Sequence, residues 1–177
     1  MAHSQQILVA IEDFSSAGPI LDYVGQLAGD CAGFDVHLFH AAGPLPPQLL
    51  ESPGAERPQA EERTEQQQAR QQNLWFERTR DELEPQFAAA KARLVAANVP
   101  PRRIRSHLRV LNQREDLVPE MIKAARDNHC GTIVVGRNSY SWLREQVRAH
   151  VSEKLIEDTP SLAICVVSMS PTQASDA

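Results

Sequence analysis

Apolar positions fall along this chain in alternating rhythms. ILVAI (Ile7 to Ile11) is a continuous apolar run, the pattern of a strand buried on both faces in a parallel sheet. Ile20, Leu21, Val24, Leu27 and Ala28 then recur at helical spacing, with Ser15 or Ser16 available as N-cap and Gly29 near the C-terminus. FDVHLFHAA (Phe34 to Ala42) supplies a second strand, which predicts a βαβ unit with a right-handed crossover. RIRSHLRVL (Arg103 to Leu111) alternates basic or polar residues with Ile104 and Leu108 and suits a strand nearer a sheet edge. Leu117, Val118, Met121, Ile122 and Ala125 mark another amphipathic helix. GTIVVG (Gly131 to Gly136) reads as a further buried strand, Leu143, Val147, Val151 and Leu155 as a helix, and SLAICVV (Ser161 to Val167) as the last strand. This alternation predicts an α/β fold: a doubly wound, Rossmann-like open parallel sheet of about five strands with helices on both faces.

The middle of the chain breaks the rhythm. GPLPPQLLESPGAERP reads as an exposed loop, because its prolines and glycines preclude regular structure. QAEERTEQQQARQQN (Gln59 to Asn73) is rich in helix formers but polar all round, so it predicts a helix that is solvent-exposed, mobile or used by a partner. A packing pattern begins at Phe76 and runs through Leu83, Phe87, Ala90 and Leu94, with Pro85 predicting a kink or a fresh helix start. Trp75 and Phe76 read as core, the commoner fate of an aromatic pair opening a periodic helix, with a partner-binding anchor as the alternative.

Composition narrows the function. The 177 residues suit one domain with a substantial core, and 42% hydrophobic with 23% charged residues is ordinary for a globular protein. A net charge of -5 argues against a general nucleic-acid surface, though not against a small anionic ligand. The N-terminal apolar stretch is too short for a signal peptide, and no later run approaches a membrane span, so no membrane partner is expected. Cys31, Cys130 and Cys165 form no CxxC pair and leave one unmatched, which fits a reducing cytoplasm.

In open parallel sheets, ligands bind beyond the carboxyl ends of the strands, which directs attention to Ile11 to Phe14, His40 to Gly43, Asn112 to Arg114 and Gly136 to Tyr140. GxxxxGK[ST], G-x-G-x-x-G and the G-x-S-x-G elbow are all absent, and no catalytic residue set emerges. Glu12 and Asp13 suit either a ribose hydroxyl and a metal-bound phosphate or the bland role of solvated loop acids. His37 and His40, three apart on a strand, point to opposite faces and cannot clamp one metal together; His107, His129 and Cys130 add no ligand spacing. The strand, turn and helix of VVGRNSYSWLREQVRAHVSEK has the geometry of a phosphate cradle, with Gly136 its one glycine. Arg137, Arg144, Arg148 and His150 around it can hold a phosphate or form the solvent face of an amphipathic helix.

These pieces together resemble the universal stress protein family over nearly the whole chain, outside an insertion at about Pro44 to Arg80. ILVAIEDFSS with its helix resembles the family's opening, FDVHLFHAA its second strand with His40 at a frequent histidine, and GTIVVG with VSEKLIEDTPSLAICVV its closing half. The resemblance implies a single domain over 1-170, and the terminal residues 171-177 read as a flexible tail. In nucleotide-binding members a motif of G, two residues, G, nine residues, G and then S or T wraps ATP phosphates. Laid on this chain, those positions are Gly136, Ser139, Ala149 and His150, followed by Val151 and Ser152; only the first matches the motif.

The family's nucleoside-contacting aspartate is matched by Glu12, just after Ile11, its following glycine by Asp13, and the backbone that meets adenine by Ala41. The resemblance therefore implies a degenerate nucleotide cleft. The expectation is a cytoplasmic, non-enzymatic stress protein acting through contacts with a protein partner, with ATP or AMP bound weakly or not at all. The alternative is an adenine-nucleotide or small-anion binding module that uses Arg137, Arg148 and His150. Family members commonly pair the last strand across a two-fold axis, which implies a homodimer through Ser161 to Val167.

Overall fold

In the computed structural model, which describes residues 5–30, 33–43, 45–46, 49, 58–111, 116–136, 151–159 and 161–168, the apolar runs form parallel strands. These are β1 (Gln6–Ala10), β2 (Asp35–Ala42), β3 (Ile104–Val110), β4 (Thr132–Gly136) and β5 (Ala163–Val167). Between them lie α1 (Gly18–Asp30), α2 (Pro58–Ala96), a 3-10 turn at Pro101–Arg103, α3 (Leu117–Asp127) and α4 (Val151–Asp158). The sheet order is β3-β2-β1-β4-β5, with every pairing parallel. Chain order therefore reverses between β1 and β4, the position at which open α/β sheets leave a crevice.

Side chains alternate across each strand and build two cores. On one face Ile7, Val9, Val36, Leu38 and Val134 pack with Ile20, Leu21 and Val24 of α1 and with Phe87, Ala90 and Leu94 of α2. On the other, Leu8, Ala10, Phe39, Ile133 and Val135 meet Leu117, Met121, Ala124 and Ala125 of α3 and Leu155 of α4. Both faces are covered, which is why β1 and β4 are apolar past their first residue. As the mixed pattern of RIRSHLRVL implies, β3 is an edge strand; β5 is the other.

The helix layer departs from expectation in three places. Helix α2 is one continuous element with Pro85 inside it, not a pair of helices with a fresh start there. Pro85 is exposed, so water can satisfy the carbonyl that its missing N–H leaves free, and strong helix formers on either side carry the helix across. Phe76 is 39% exposed and Trp75 only half-buried, so the aromatic pair is not core; packing begins a turn and more later, at Leu83 and Phe87. Within the polar segment, Gln68 and Gln72 turn half-buried side chains toward the β2–α2 connection. Their Nε2 atoms both donate to the carbonyl of Leu49, at 3.0 and 2.7 Å. A helix without an apolar stripe is tethered here by amides.

The third departure is at the start of α1. Ser15 and Ser16 do not cap the helix, which begins at Gly18; both hydroxyls turn back to Asp13. The helix predicted from Leu143 through Leu155 is described only over Val151–Asp158.

Candidate functional site

The parallel register gathers the described candidate residues at one end of the sheet. Val9 lies opposite Val134 and Ala10 opposite Phe39. Counting on in register puts Ile11 level with Gly136 on one side and His40 on the other, with Glu12 level with Ala41. Ile11, Glu12, Ala41 and Gly136 thus lie at the carboxyl ends of β1, β2 and β4, beside the crevice, and Asp13 follows on the turn after β1. Of the other predicted site residues, Arg137, Ser139, Arg148, Ala149 and His150 lie outside the described residues. Val151 and Ser152 open α4, with only their backbone described.

The polar groups at this end bond mostly to one another. The backbone N–H of Ile11 donates to the carbonyl of Phe39 at 2.8 Å, and Nδ1–H of His40 donates to the carbonyl of Ile11, also at 2.8 Å. That bond fixes the proton on Nδ1, because a carbonyl only accepts. Burial nonetheless pushes His40 below the ordinary histidine range, partly opposed by the Ile11 carbonyl and the Asp13 charge. The His40 ring packs 5.1 Å from the ring of Phe14, which meets Phe87 of α2 edge-on at 4.9 Å. This aromatic plug closes the α2 side of the β1 and β2 ends.

Asp13 is committed to the turn after β1. Its carboxylate accepts the backbone N–H of Ser15 at 3.0 Å and a short hydrogen bond from the Ser15 hydroxyl, while Ser16 Oγ donates to its carbonyl at 3.2 Å. The Ser15 bonds hold the carboxyl below its usual range, so a full negative charge stands at this corner. Beside it opens a cleft of about 610 Å³ between α1 and α2, lined by Asp13, Ser15, Gly18, Gln86 and Arg93 among others. Arg93 is clamped bidentately to Asp22, at 2.6 and 2.7 Å.

A second polar cluster escaped sequence reasoning. Nε2–H of His37 donates to Gln6 Oε1 at 3.0 Å, which leaves its Nδ1 to accept from Nε2–H of His107 at 2.8 Å. The rings stack at 5.1 Å. His37 pairs in register with Arg105, so His107 is its diagonal neighbour on the same face, the face opposite His40 as the period of a strand requires. Burial, then the His107 and Arg105 charges, lower His37 to about 4; burial first also lowers His107. Cys130, buried at the end of α3, is pushed up to about 11 by desolvation alone, so its thiol is inert at neutral pH. Among the described residues no group of three His, Cys, Asp or Glu side chains is placed to hold a metal ion, and no helix is long and apolar enough to cross a membrane.

Comparison with known proteins gives this architecture a family. No curated protein matches the chain in sequence. Among solved structures it is similar to a universal stress protein family member from Burkholderia pseudomallei, at 19% identity over 94% of this chain and 98% of that one, with a TM-score of 0.60. It is also similar to a universal stress protein in complex with cAMP, at 16% identity over 96% of this chain and 100% of that one, TM-score 0.58. The hypothetical protein MJ0577, the subject of a structure-based assignment of biochemical function, aligns at 16% identity over 97% and 100% of the two chains, TM-score 0.62. At such identities the likeness is one of fold. The model of the universal stress protein family matches residues 3–166, nearly the full length that carries the five-stranded sheet, and the chain belongs to that family.

Proposed function

We propose that this protein works through contacts with other proteins, without catalysing a reaction, and that it holds adenine nucleotide weakly or not at all. The observation that carries this reading is Asp13. Where the family resemblance places a glycine, this chain has Asp13 on the turn after β1, its carboxyl held below the usual range by Ser15. A nucleotide bound over the strand ends would bring several phosphate charges toward that turn. Like charges a few ångströms apart repel. The sequence of the β4–α4 connection adds to the effect, since Ser139 and Ala149 carry Cβ atoms where the family has glycine and His150 replaces a hydroxyl.

The second reading, an adenine-nucleotide or small-anion module, is favoured by the family fold and by the relative solved with cAMP. In that reading Arg137, Arg148 and His150 supply the anion contacts. Mass spectrometry of small molecules released from freshly purified protein separates the two. No adenine nucleotide at stoichiometric level is expected; one at a near-equal molar ratio overturns the first reading.

The proposed assembly is a homodimer through β5, in a reducing cytoplasm. Ala163–Val167 is an edge strand without a charged side chain, and its Val166 is 42% exposed. An uncharged apolar edge invites pairing with a second copy across a two-fold axis.

A further inference from the structure

The two edges of the sheet differ in charge. In a chain of net charge -5, the segment from Pro101 to Val110, which forms the 3-10 turn and β3, carries Arg102, Arg103, Arg105 and Arg109 and no acidic residue. Arg103 approaches Asp35 only at 3.9 Å and Arg109 approaches Glu120 only at 3.8 Å, both in partly exposed settings where an ion pair contributes little. Among the described residues, no strand pairs with the outer side of β3. Four arginines on an edge repel a second copy of the same edge and attract a chain of opposite charge.

A groove runs along this edge. Its cavity volume is about 520 Å³; α2 forms one wall with Phe76, Arg80, Glu84, Phe87 and Lys91, and β3 the other with consecutive residues Ser106 to Arg109. The helix positions are spaced by four, four, three and four, so they form one stripe about 22 Å long at a rise of about 1.5 Å per residue. Strand β3, seven residues long, spans about 23 Å. Because four successive strand residues line the groove, its wall is the hydrogen-bonding edge and not one face of the sheet. The charged side chains of α2 on the wall are Arg80 and Lys91 against Glu84, two cations to one carboxylate, while Arg109 of β3 is turned toward Glu120 on the opposite face of the sheet. Phe76, exposed at one end of the stripe, supplies an apolar contact with no partner in the core.

We infer that this groove is a docking site for an extended, acidic peptide segment of a partner protein, which adds to β3 as a sixth strand with its carboxylates toward Arg80 and Lys91 of α2. Backbone pairing at the open edge supplies affinity, and alternate side chains supply specificity. The inference rests on the reading of the protein as one that acts through protein contacts and names where and with what. The β5 edge, uncharged, is left to self-association.

The test is fluorescence anisotropy with a labelled, capped heptapeptide, EVEVEVE, alongside KVKVKVK. Two further EVEVEVE peptides carry N-methyl groups on alternate backbone nitrogens, in the two opposite phases. The expected result is saturable binding of EVEVEVE and none of KVKVKVK. One methylation phase abolishes binding and the other preserves it, because only alternate amides of an added strand face β3. The double variant Arg80→Glu with Lys91→Glu weakens binding at least tenfold, whereas Arg78→Glu, on another face of α2, leaves it within twofold. Absence of EVEVEVE binding at 100 μM (an assay setting on the order of typical weak peptide affinities) overturns the inference. So does equal tolerance of both methylation phases, which rules out strand addition, or full displacement by millimolar inorganic phosphate, which assigns the groove to small anions. The titration is repeated with ATP present: ATP binding that leaves the peptide in place sinks the reading of a degenerate cleft without touching the β3 site, and loss of peptide binding alone does the reverse.

Discussion

Histidines show which residue-scale facts the sequence carries. That His37 and His40 face opposite ways followed from the period of a strand; that His37 meets His107 did not, because it depends on β2 and β3 being neighbours in a particular register. Asp13 is a similar case. Its acidic neighbourhood at a strand end was legible, but the serines two and three residues on were assigned to the helix and turn out to bind the aspartate itself. His37 has a measurable consequence. It stays neutral in the fold down to about pH 4, whereas an unfolded imidazole gains its proton near pH 6.5, so between those values the unfolded chain binds more protons. Stability should therefore be fully present above about pH 6.5 and fall as the pH drops toward 4, with His40 and His107 acting in the same direction. In His37→Leu, urea midpoints across this range should show a shallower slope. Stability at pH 7 should fall by about 1–3 kcal/mol, because His107 Nε2 loses its partner. An unchanged slope would remove His37 from the account.

At the scale of elements, strand order and helix faces were legible because both faces of the sheet are buried and the periods are clean. The length of α2 was not, since Pro85 reads as a boundary and only its exposed position lets the helix continue. The contact between α1 and α2 was also hidden. A Cβ at Gly25 would come within 2.6 Å of Ala97 Cβ, and one at Gly29 within 2.1 Å of the Ala97 carbonyl oxygen. The backbone cannot yield as a flexible side chain does, so Gly29→Ala should destabilise the fold by about 1–3 kcal/mol or more, and Gly25→Ala by the lower part of that range. Thermal unfolding measures both; a Gly29→Ala protein as stable as the wild type would mean that the helices are not packed through this site. Among the described residues, the polar half of α2 is tethered by two glutamine bonds to Leu49. Limited proteolysis should cut first within residues 59–73 or in the Pro-rich loop before them, and early cleavage inside α3 would contradict that core.

For the whole molecule, the proposed functions fall on separate margins: β5 for a second copy, β3 with α2 for an acidic partner, and the crevice between β1 and β4 for a nucleotide site proposed to be degenerate. Self-association is checked by sedimentation at micromolar concentration, where a dimer is expected and Val166→Arg should shift it toward monomer by placing a charge on each facing edge. A wild-type monomer would remove β5 pairing. The family was legible because strand ends and VSEK carry it; the reading of the cleft as degenerate rests on residues 137 to 150, which lie outside the described residues. We propose that nucleotide binding was lost through the shape and charge of the cradle. The most direct test is calorimetric titration of ATP into the wild type and into the triple variant Ser139→Gly, Ala149→Gly and His150→Ser, with Asp13→Gly added in a fourth protein. Little or no heat is expected from the wild type, measurable affinity in the triple variant, tighter binding once the Asp13 carboxylate is gone, and little effect from single changes, because each remaining side chain still blocks the phosphate path. ATP binding by the wild type that the triple substitution weakens would contradict the proposal.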